Sequence, residues 1–270
     1  MAEAPLYFPP AERGRLEPHL PPLSRPETAN PTLPFVTLTF ATSLDSALSL
    51  GPGIRTALSG PQSKAMTHYL RTRHDAICIG VGTAIADDPG LNSRLAADEP
   101  GQGSAHQPRP IVIDPRLRWD FTPQSKVMRL AREGKGLAPF IVTTQKELPA
   151  HKRAILEEVG GKFIVLDVEP GNAGGARRLD WRAILSAVRR EGLRSIMIEG
   201  GGEVINTLLG EDAGLVDSVI VTIAPTWLGQ GGVTVSPPRT AGADRPVARL
   251  SNTAWMPLGE DVVLCGTIAR

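Results

Sequence analysis

From residue 34 onward, short apolar runs alternate with segments whose apolar residues recur at helical spacing. The runs are "FVTLTFA" (35–41), "AICIG" (76–80), "RPIVID" (109–114), "PFIVT" (139–143), "KFIVL" (162–166), "SIMIE" (195–199), "SVIVTIA" (218–224) and "DVVLCGTIA" (261–269). Several are unbroken Val/Ile stretches, the pattern of strands buried on both faces of a parallel sheet. Between them lie "PQSKAMTHYLRT", with Pro61 in a first-turn position, and "ELPAHKRAILEEVG", which ends in two glycines. "DWRAILSAVRREG" runs from an N-capping Asp to Gly192. Such alternation predicts an α/β fold with a mainly parallel central sheet and helices on both faces.

Residues 1–33 break this pattern. They are proline-rich, with Pro-Pro at 9–10 and 21–22, and show no apolar period. They predict a solvated or loosely docked arm, leaving residues 34–270 as a single domain. The acidic residues of the arm argue against a transit peptide. "LAADEPGQGSAHQ" (95–107) and "SPPRTAGADRP" (236–246) read as surface loops.

Composition narrows the partners. With 29 basic and 28 acidic side chains the net charge is +1, so neither nucleic acid nor a membrane surface is expected. A phosphorylated ligand must then be held by a few placed cations and amides. The two cysteines, Cys78 and Cys265, each sit in an apolar run and read as buried core thiols. Without a secretory or membrane segment, the expected setting is the cytoplasm.

The chemistry concentrates in three stretches. In "IMIEGGGEVINTLL" a strand ends at Glu199, three glycines follow, and Val204, Ile205, Leu208 and Leu209 then mark one helix face. Gly200, Gly201, Gly202, Glu203, Val204 and Ile205 thus span a strand-to-helix turn. Its free amides and missing Cβ atoms suit a pyrophosphate. The alternative is a turn whose glycines serve packing alone. A Walker A loop is excluded because no Lys follows, and the Rossmann fingerprint because its third glycine is missing.

The second stretch, "GVGTAIADDPGLNSR" (80–94), places Thr83, Asp87, Asp88, Asn92 and Arg94 after a strand, where open α/β sheets bind ligands. Thr83 is also a candidate helix cap, Asp-Asp-Pro a turn former, and Arg94 either a phosphate clamp or a surface residue. In the third stretch Asp45 closes the first strand and either contacts substrate or caps a turn.

In this order, "FVTLTFATSLDS", "MTHYLRTRHDAICIGVGTAIADDPGLN", "RPIVID" and "IMIEGGGEVINTLL" resemble the riboflavin-biosynthesis reductases that act on a pyrimidine ribosylamine phosphate, above all the stand-alone fungal type. The resemblance covers about residues 34–270. It implies a dihydrofolate-reductase-like fold, a homodimer, NADPH as cofactor, and reduction of a ribosylamino to a ribitylamino side chain. It also implies that Thr83, Asp87 and the turn Gly200–Ile205 bind the cofactor, and that Glu199, Arg71 and Arg94 contact substrate. Glu199 and Asp45 are the candidates for handling a proton.

The chain departs from bacterial members at Ala57-Leu58-Ser59, where they carry Trp-Ile-Thr. Lys146, Lys152 and Arg153 are candidate readers of the NADPH 2′-phosphate, and His68 and His74 read as packing or surface residues. The H-x-E and P-C-x-x-C motifs of the fused bacterial deaminase are missing, so reduction without deamination is expected. Alternatives sharing the cofactor loop are a reductase of another pterin or pyrimidine and a non-catalytic dinucleotide-binding protein.

Overall fold

The computed structural model describes residues 6–23, 32–96, 106–167, 179–239, 241–242 and 244–269. Its strands are β1 (Phe35–Thr42), β2 (Ala47–Ser49), β3 (Ala76–Gly80), β4 (Arg109–Ile113), β5 (Phe140–Thr143), β6 (Lys162–Val165), β7 (Ser195–Gly200), β8 (Ser218–Ile223), β9 (Val233–Thr234), β10 (Leu250–Leu258) and β11 (Asp261–Ile268). The helices are α1 (Pro10–Leu16), α2 (Pro61–Thr72), α3 (Val81–Asp87), α4 (Lys126–Arg132), α5 (Ala150–Glu158), α6 (Trp181–Arg190) and α7 (Gly202–Leu209).

Nine strands form one sheet in the order β10-β11-β8-β1-β7-β3-β4-β5-β6, and β2 pairs with β9 apart from it. From β8 to β6 every pairing is parallel, and β11 and β10 add antiparallel pairs at one edge. The Val/Ile runs lie where both faces are covered. Ile196, Ile198, Cys78 and Ile111 pack with α6 and α7 on one side. On the other, Met197 meets α2, and Ile77, Ile79 and Val112 meet α3, α4 and α5. The mainly parallel sheet with helices on both faces is the architecture the sequence predicts. Cys78 and Cys265 are buried, and burial raises both thiol pKa values, that of Cys265 to about 12.

The N-terminal segment differs from expectation. Within residues 6–23, Phe8, Leu16 and Leu20 are buried against α2. Glu17 accepts hydrogen bonds from the Tyr69 hydroxyl and from Arg73 at 2.9 Å. Prolines interrupt the period, so three anchors spaced eight and four residues apart leave no visible helical stripe. Strand β10 also lies outside the expected elements: it contains Pro257, and Asn252 has φ +50°. Proline is compatible with it because β10 is an edge strand. Residues 80–94 begin with α3, whose N-cap is Gly80, so Thr83 lies inside the helix instead of capping it. Of the two expected surface loops, residues 97–105, 240 and 243 lie outside the described residues.

Candidate active site

A cleft of about 1200 Å³ opens at the C-terminal ends of the central strands. A single small-ligand site is typically roughly 300–1,000 Å³, so this one has room for two ligands side by side. Its walls come from β7 and α7, the start of α3, one face of α2, the segment 52–59, and the residues following β4.

The glycine turn forms one wall. Gly200 has φ +86° and Gly201 φ +124°, backbone that side-chain-bearing residues rarely adopt. The three glycines have different reasons. A Cβ on Gly200 would lie 2.5 Å from Ile205 Cγ1, and one on Gly202 would lie 2.4 Å from Val233 Cγ1, so packing requires both. A Cβ on Gly201 would meet only Thr83 Oγ1, at 3.3 Å, and Gly201 lines the cleft. Gly201 is the N-cap of α7, and the amide of Ile205 makes the first helical bond back to its carbonyl. The amides of Gly202, Glu203 and Val204 therefore have no acceptor within the helix, an arrangement suited to an anion.

Thr83 and Asp87 face this turn from α3. The Thr83 hydroxyl donates to the Gly200 carbonyl at 3.3 Å. Asp87 lines the cleft, and its Oδ1 is a buried acceptor with no partner among the described residues. An unsatisfied acceptor beside amides without acceptors fits a ligand carrying both hydroxyl groups and phosphates, as a dinucleotide does. Asp88 instead ties two elements together, its carboxylate accepting the Lys126 amide at the start of α4.

At the other end, Arg71 projects from α2 onto Glu199. Nε and Nη2 of Arg71 donate to Oε1 at 3.0 and 2.9 Å, and Nη2 also reaches Oε2 at 2.9 Å. Arg71 Nη1 donates to the Asn92 carbonyl at 2.9 Å. Glu199 reaches this position through an irregularity between β3 and β7. Cys78 pairs with Ile198 but Ile79 with Gly200, so Glu199 is the additional residue of a bulge.

Arg94 does not line the cleft. Its guanidinium lies 3.3 Å from His68 Nε2, and its amide donates to His68 Nδ1 at 3.0 Å. Asp45 also stands away from the cleft wall. Its carboxylate accepts the Ser43 hydroxyl and the amides of Leu228 and Gly229 at 3.1 and 2.7 Å, bonds that hold its pKa down to about 2. It clasps the turn after β1 to the loop after β8.

The three candidate 2′-phosphate cations all lie off the cleft wall. Lys152 Nζ is buried against the Trp119 carbonyl at 2.8 Å and Asp120 at 3.3 Å, and Lys146 pairs with Asp167 at 3.1 Å. The cations in the wall near β4 are Arg116 and Arg118. Their turn is fixed by Asp114, which accepts the amides of Arg118 and Trp119 at 2.9 and 2.8 Å. The rule that ligands bind beyond the carboxyl ends of parallel strands points to both residues, since they directly follow "RPIVID". Lys64 and Thr67 are further wall residues for which the sequence offered no reading, and His68, expected to be a packing or surface residue, lines the cleft as well. Their signal was helical: Lys64, Thr67/His68 and Arg71 recur at i, i+3/i+4 and i+7. Ala57, Leu58 and Ser59, where the chain departs from bacterial members, also line the cleft.

Residues 34–264 match the RibD C-terminal domain family. The 2,5-diamino-6-ribosylamino-4(3H)-pyrimidinone 5′-phosphate reductase of Saccharomyces cerevisiae is 38% identical over 244 residues, covering 90% of each chain. The reductase of that name from Eremothecium gossypii is 40% identical over 257 residues, covering 94% of this chain and 95% of its own. Among solved structures, the Saccharomyces cerevisiae riboflavin biosynthesis reductase Rib7 superposes with a TM-score of 0.74 at 33% identity, over 96% of this chain and 99% of its own. Acinetobacter baumannii RibD shares the fold with a TM-score of 0.70 at 20% identity, over 90% of this chain and 60% of its own. Matched to the family from residue 34 to residue 264, this chain belongs to the RibD C-terminal domain family of riboflavin-biosynthesis reductases.

Proposed function

We propose that the protein reduces the ribosylamino group of 2,5-diamino-6-(ribosylamino)-4(3H)-pyrimidinone 5′-phosphate to ribitylamino, using NADPH, and works as a homodimer. The observation that carries the reading is one cleft with two unlike ends: acceptor-free amides beside an unsatisfied Asp87 oxygen, and the Arg71–Glu199 pair on the α2 side. The relatives named above as reductases of this phosphate support the choice of substrate.

In this scheme the amides of Gly202, Glu203 and Val204 hold the cofactor pyrophosphate, and Thr83 and Asp87 hold its hydroxyl-bearing portion. Arg116 and Arg118, rather than Lys146, Lys152 or Arg153, meet the 2′-phosphate. Held by these residues, a reduced nicotinamide would supply the hydride for C1′ of the ring-opened sugar imine, whose nitrogen would take up one proton. The chain's own work is placement and exclusion of water. Arg71 holds the Glu199 carboxylate in one orientation, and its remaining lone pairs accept from sugar hydroxyls. Arg94 and the α2 face supply positive potential for the 5′-phosphate. Asp45 serves as a clasp under the cleft.

The deciding experiment follows absorbance of NADPH with the diamino-ribosylamino-pyrimidinone phosphate and identifies the product by mass. A gain of two hydrogens, one NADPH consumed per product, is the expected result. Dinucleotide binding without consumption would leave a non-catalytic binder, and turnover confined to other pterins would overturn the substrate. Sedimentation at micromolar concentration tests the homodimer.

A further inference from the structure

The two sides of α2 face different things. Lys64, Thr67, His68 and Arg71 line the cleft, whereas Met66, Tyr69 and Leu70 pack with Phe8, Leu16 and Leu20 of the N-terminal segment. At about 100° per residue, Tyr69 and Arg73 lie roughly opposite Arg71 around the helix axis. Both are held from outside by Glu17. Its carboxylate accepts the Tyr69 hydroxyl and, at 2.9 Å, Arg73 Nη2, which also donates to the Pro21 carbonyl at 3.0 Å. Burial, then the bond to Glu17, raises the Tyr69 pKa, so the phenol keeps the proton it donates. The Phe8 ring, 5.5 Å away, and the Arg13 guanidinium, 5.3 Å from the ring centroid, fix the Tyr69 ring as well. The same segment grips a second part of the substrate end. Leu6 donates its amide to the Arg94 carbonyl at 2.9 Å, and its carbonyl accepts the Ala96 amide at 2.7 Å. Residues 92–94 return to α2 on the cleft side: the Asn92 carbonyl accepts Arg71 Nη1, and the Ser93 hydroxyl donates to the His68 carbonyl at 2.9 Å. Among the described residues, α3 and α7, at the cradle end, contribute nothing to the cluster around Phe8.

We infer that Glu17 is a positioning residue for the substrate end of the cleft: through Tyr69 and Arg73 it sets the rotation of α2, and so the direction in which Arg71 meets Glu199 and the substrate. This rests on the proposed reaction and adds a residue outside the cleft to it. Arg71 is tied on the cleft side alone, to Glu199 and to the Asn92 carbonyl. A helix held on one face rolls about that contact, and a side chain as long as arginine magnifies the roll at its tip. Glu17 supplies the opposing hold, and the Leu6 pairing keeps the 94–96 segment in step with it. Misplacement by about 1 Å from a change remote from the chemistry costs up to on the order of a hundredfold in rate. The family match begins at residue 34, so this hold comes from a part of the chain that precedes it.

The test uses full-length Glu17→Ala and Glu17→Gln, with the diamino-ribosylamino-pyrimidinone phosphate as the varied substrate and NADPH titrated separately by calorimetry. Glu17→Ala is expected to lower kcat/KM by about tenfold, mainly through KM, with the NADPH Kd unchanged. Glu17→Gln keeps one acceptor oxygen and should recover part of the loss. A loss that runs through Arg71 shrinks once Arg71 is gone, so in an Arg71→Ala background Glu17→Ala should change kcat/KM by less than about twofold. Wild-type kcat/KM in a folded Glu17→Ala, an equal loss of NADPH affinity, or the full loss in the Arg71→Ala background overturns the inference. Should Glu17→Ala fail to fold, Tyr69→Phe deletes one of the two bonds, keeps the ring, and is judged by the same criteria. Hydrogen exchange supplies an arm that needs no turnover. In Glu17→Ala the amides of α2 should exchange faster and those of α7 at the wild-type rate; unchanged exchange in α2 overturns the inference by itself. Wild type that turns over the pyrimidine phosphate while Glu17→Ala matches it refutes this inference alone. Wild type that leaves that substrate unreduced, with α2 loosened in Glu17→Ala, refutes the functional reading and not the hold on α2.

Discussion

At the β7–α7 end of the cleft, anion-binding capacity comes from backbone: three amides without helical acceptors after two glycines at positive φ. At the α2 end the polar groups are side chains drawn from distant places, Arg71 on α2 bound to Glu199 on β7, and His68 with Arg94 beyond α3. A backbone cradle is specified by consecutive residues and is sensitive to any added side chain. A side-chain cluster is specified by strand order and register, and is sensitive to loss of one partner. The first should fail through geometry and the second through electrostatics.

The largest expected effect is at the cradle. Gly201→Val should raise the NADPH Kd by about a hundredfold or more, equivalent to about 2.7 kcal/mol. Its stability cost should be confined to the strain of one residue at φ +124°, about 1–3 kcal/mol. Gly200→Val, whose Cβ would collide with Ile205, should lose stability first. Calorimetry alongside denaturant unfolding separates the two. If both variants bind NADPH like wild type, the cradle is packing alone.

Next comes the α2 end. Arg71→Ala leaves Glu199 unpaired in a half-closed site and should weaken the phosphorylated substrate by about 2–3 kcal/mol, with NADPH affinity kept. Glu199→Gln combined with Arg71→Ala should cost less than the two single changes summed, with a coupling of about 1–3 kcal/mol. Additive losses in that cycle would show that the two residues do not act as a unit.

A smaller effect tests which cations serve the backbone end. Arg116→Ala and Arg118→Ala should each reduce the preference for NADPH over NADH by about tenfold, or about 1.4 kcal/mol. Lys152→Met should leave that preference unchanged and lower stability, because Lys152 is tied to Trp119 and Asp120. The reverse pattern would return the 2′-phosphate to the 146–153 segment.

The smallest effect is acid sensitivity, and it belongs to the α2 end. Burial lowers the His68 pKa to about 3 and that of His74 to about 4. His74 donates from Nδ1 to the Leu70 carbonyl at 2.7 Å and accepts the Thr37 hydroxyl at Nε2, 2.8 Å away, so it too is held neutral. Below pH 6.5 the unfolded chain takes up protons that the native state refuses, so stability falls as pH drops from about 6.5 toward 4. From pH 7 to 6 each histidine should cost somewhat under about 1 kcal/mol. Asp45, with its pKa lowered to about 2, acts oppositely and only at lower pH. Its contribution is present above the ordinary carboxylate pKa and is lost as pH falls toward 2. Denaturant unfolding at pH 7, 6 and 5 for wild type and His74→Gln measures the histidine share. A flat profile across this range would contradict the buried neutral assignment.

Local order made the strands and the cradle legible. Unbroken Val/Ile runs mark strands covered on both faces, and "EGGGEVI" places a carboxylate, a turn and a helix start in consecutive residues. These features follow from burial and backbone freedom within a few residues, so they can be read without knowing what lies alongside. The docked N-terminal segment and β10 were hidden for the converse reason. Phe8, Leu16 and Leu20 acquire a common partner only once α2 is in place, and Pro257 is tolerated only because β10 is an edge.

The sequence alone thus determined the alternating α/β architecture, the glycine turn and the presence of Glu199, Thr83 and Asp87 at strand ends, while Arg71, on a helix, was marked only by the family resemblance. Tertiary structure decided which of these meet. Only the β3–β7 bulge turns Glu199 onto Arg71, only the fold of the 88–94 segment sets Arg94 behind His68, and only strand order brings Arg116 and Arg118 to the cleft in place of Lys152. Each depends on a register or a neighbour far away in the chain. A one-residue shift in pairing redirects a side chain without changing any local pattern that the sequence displays.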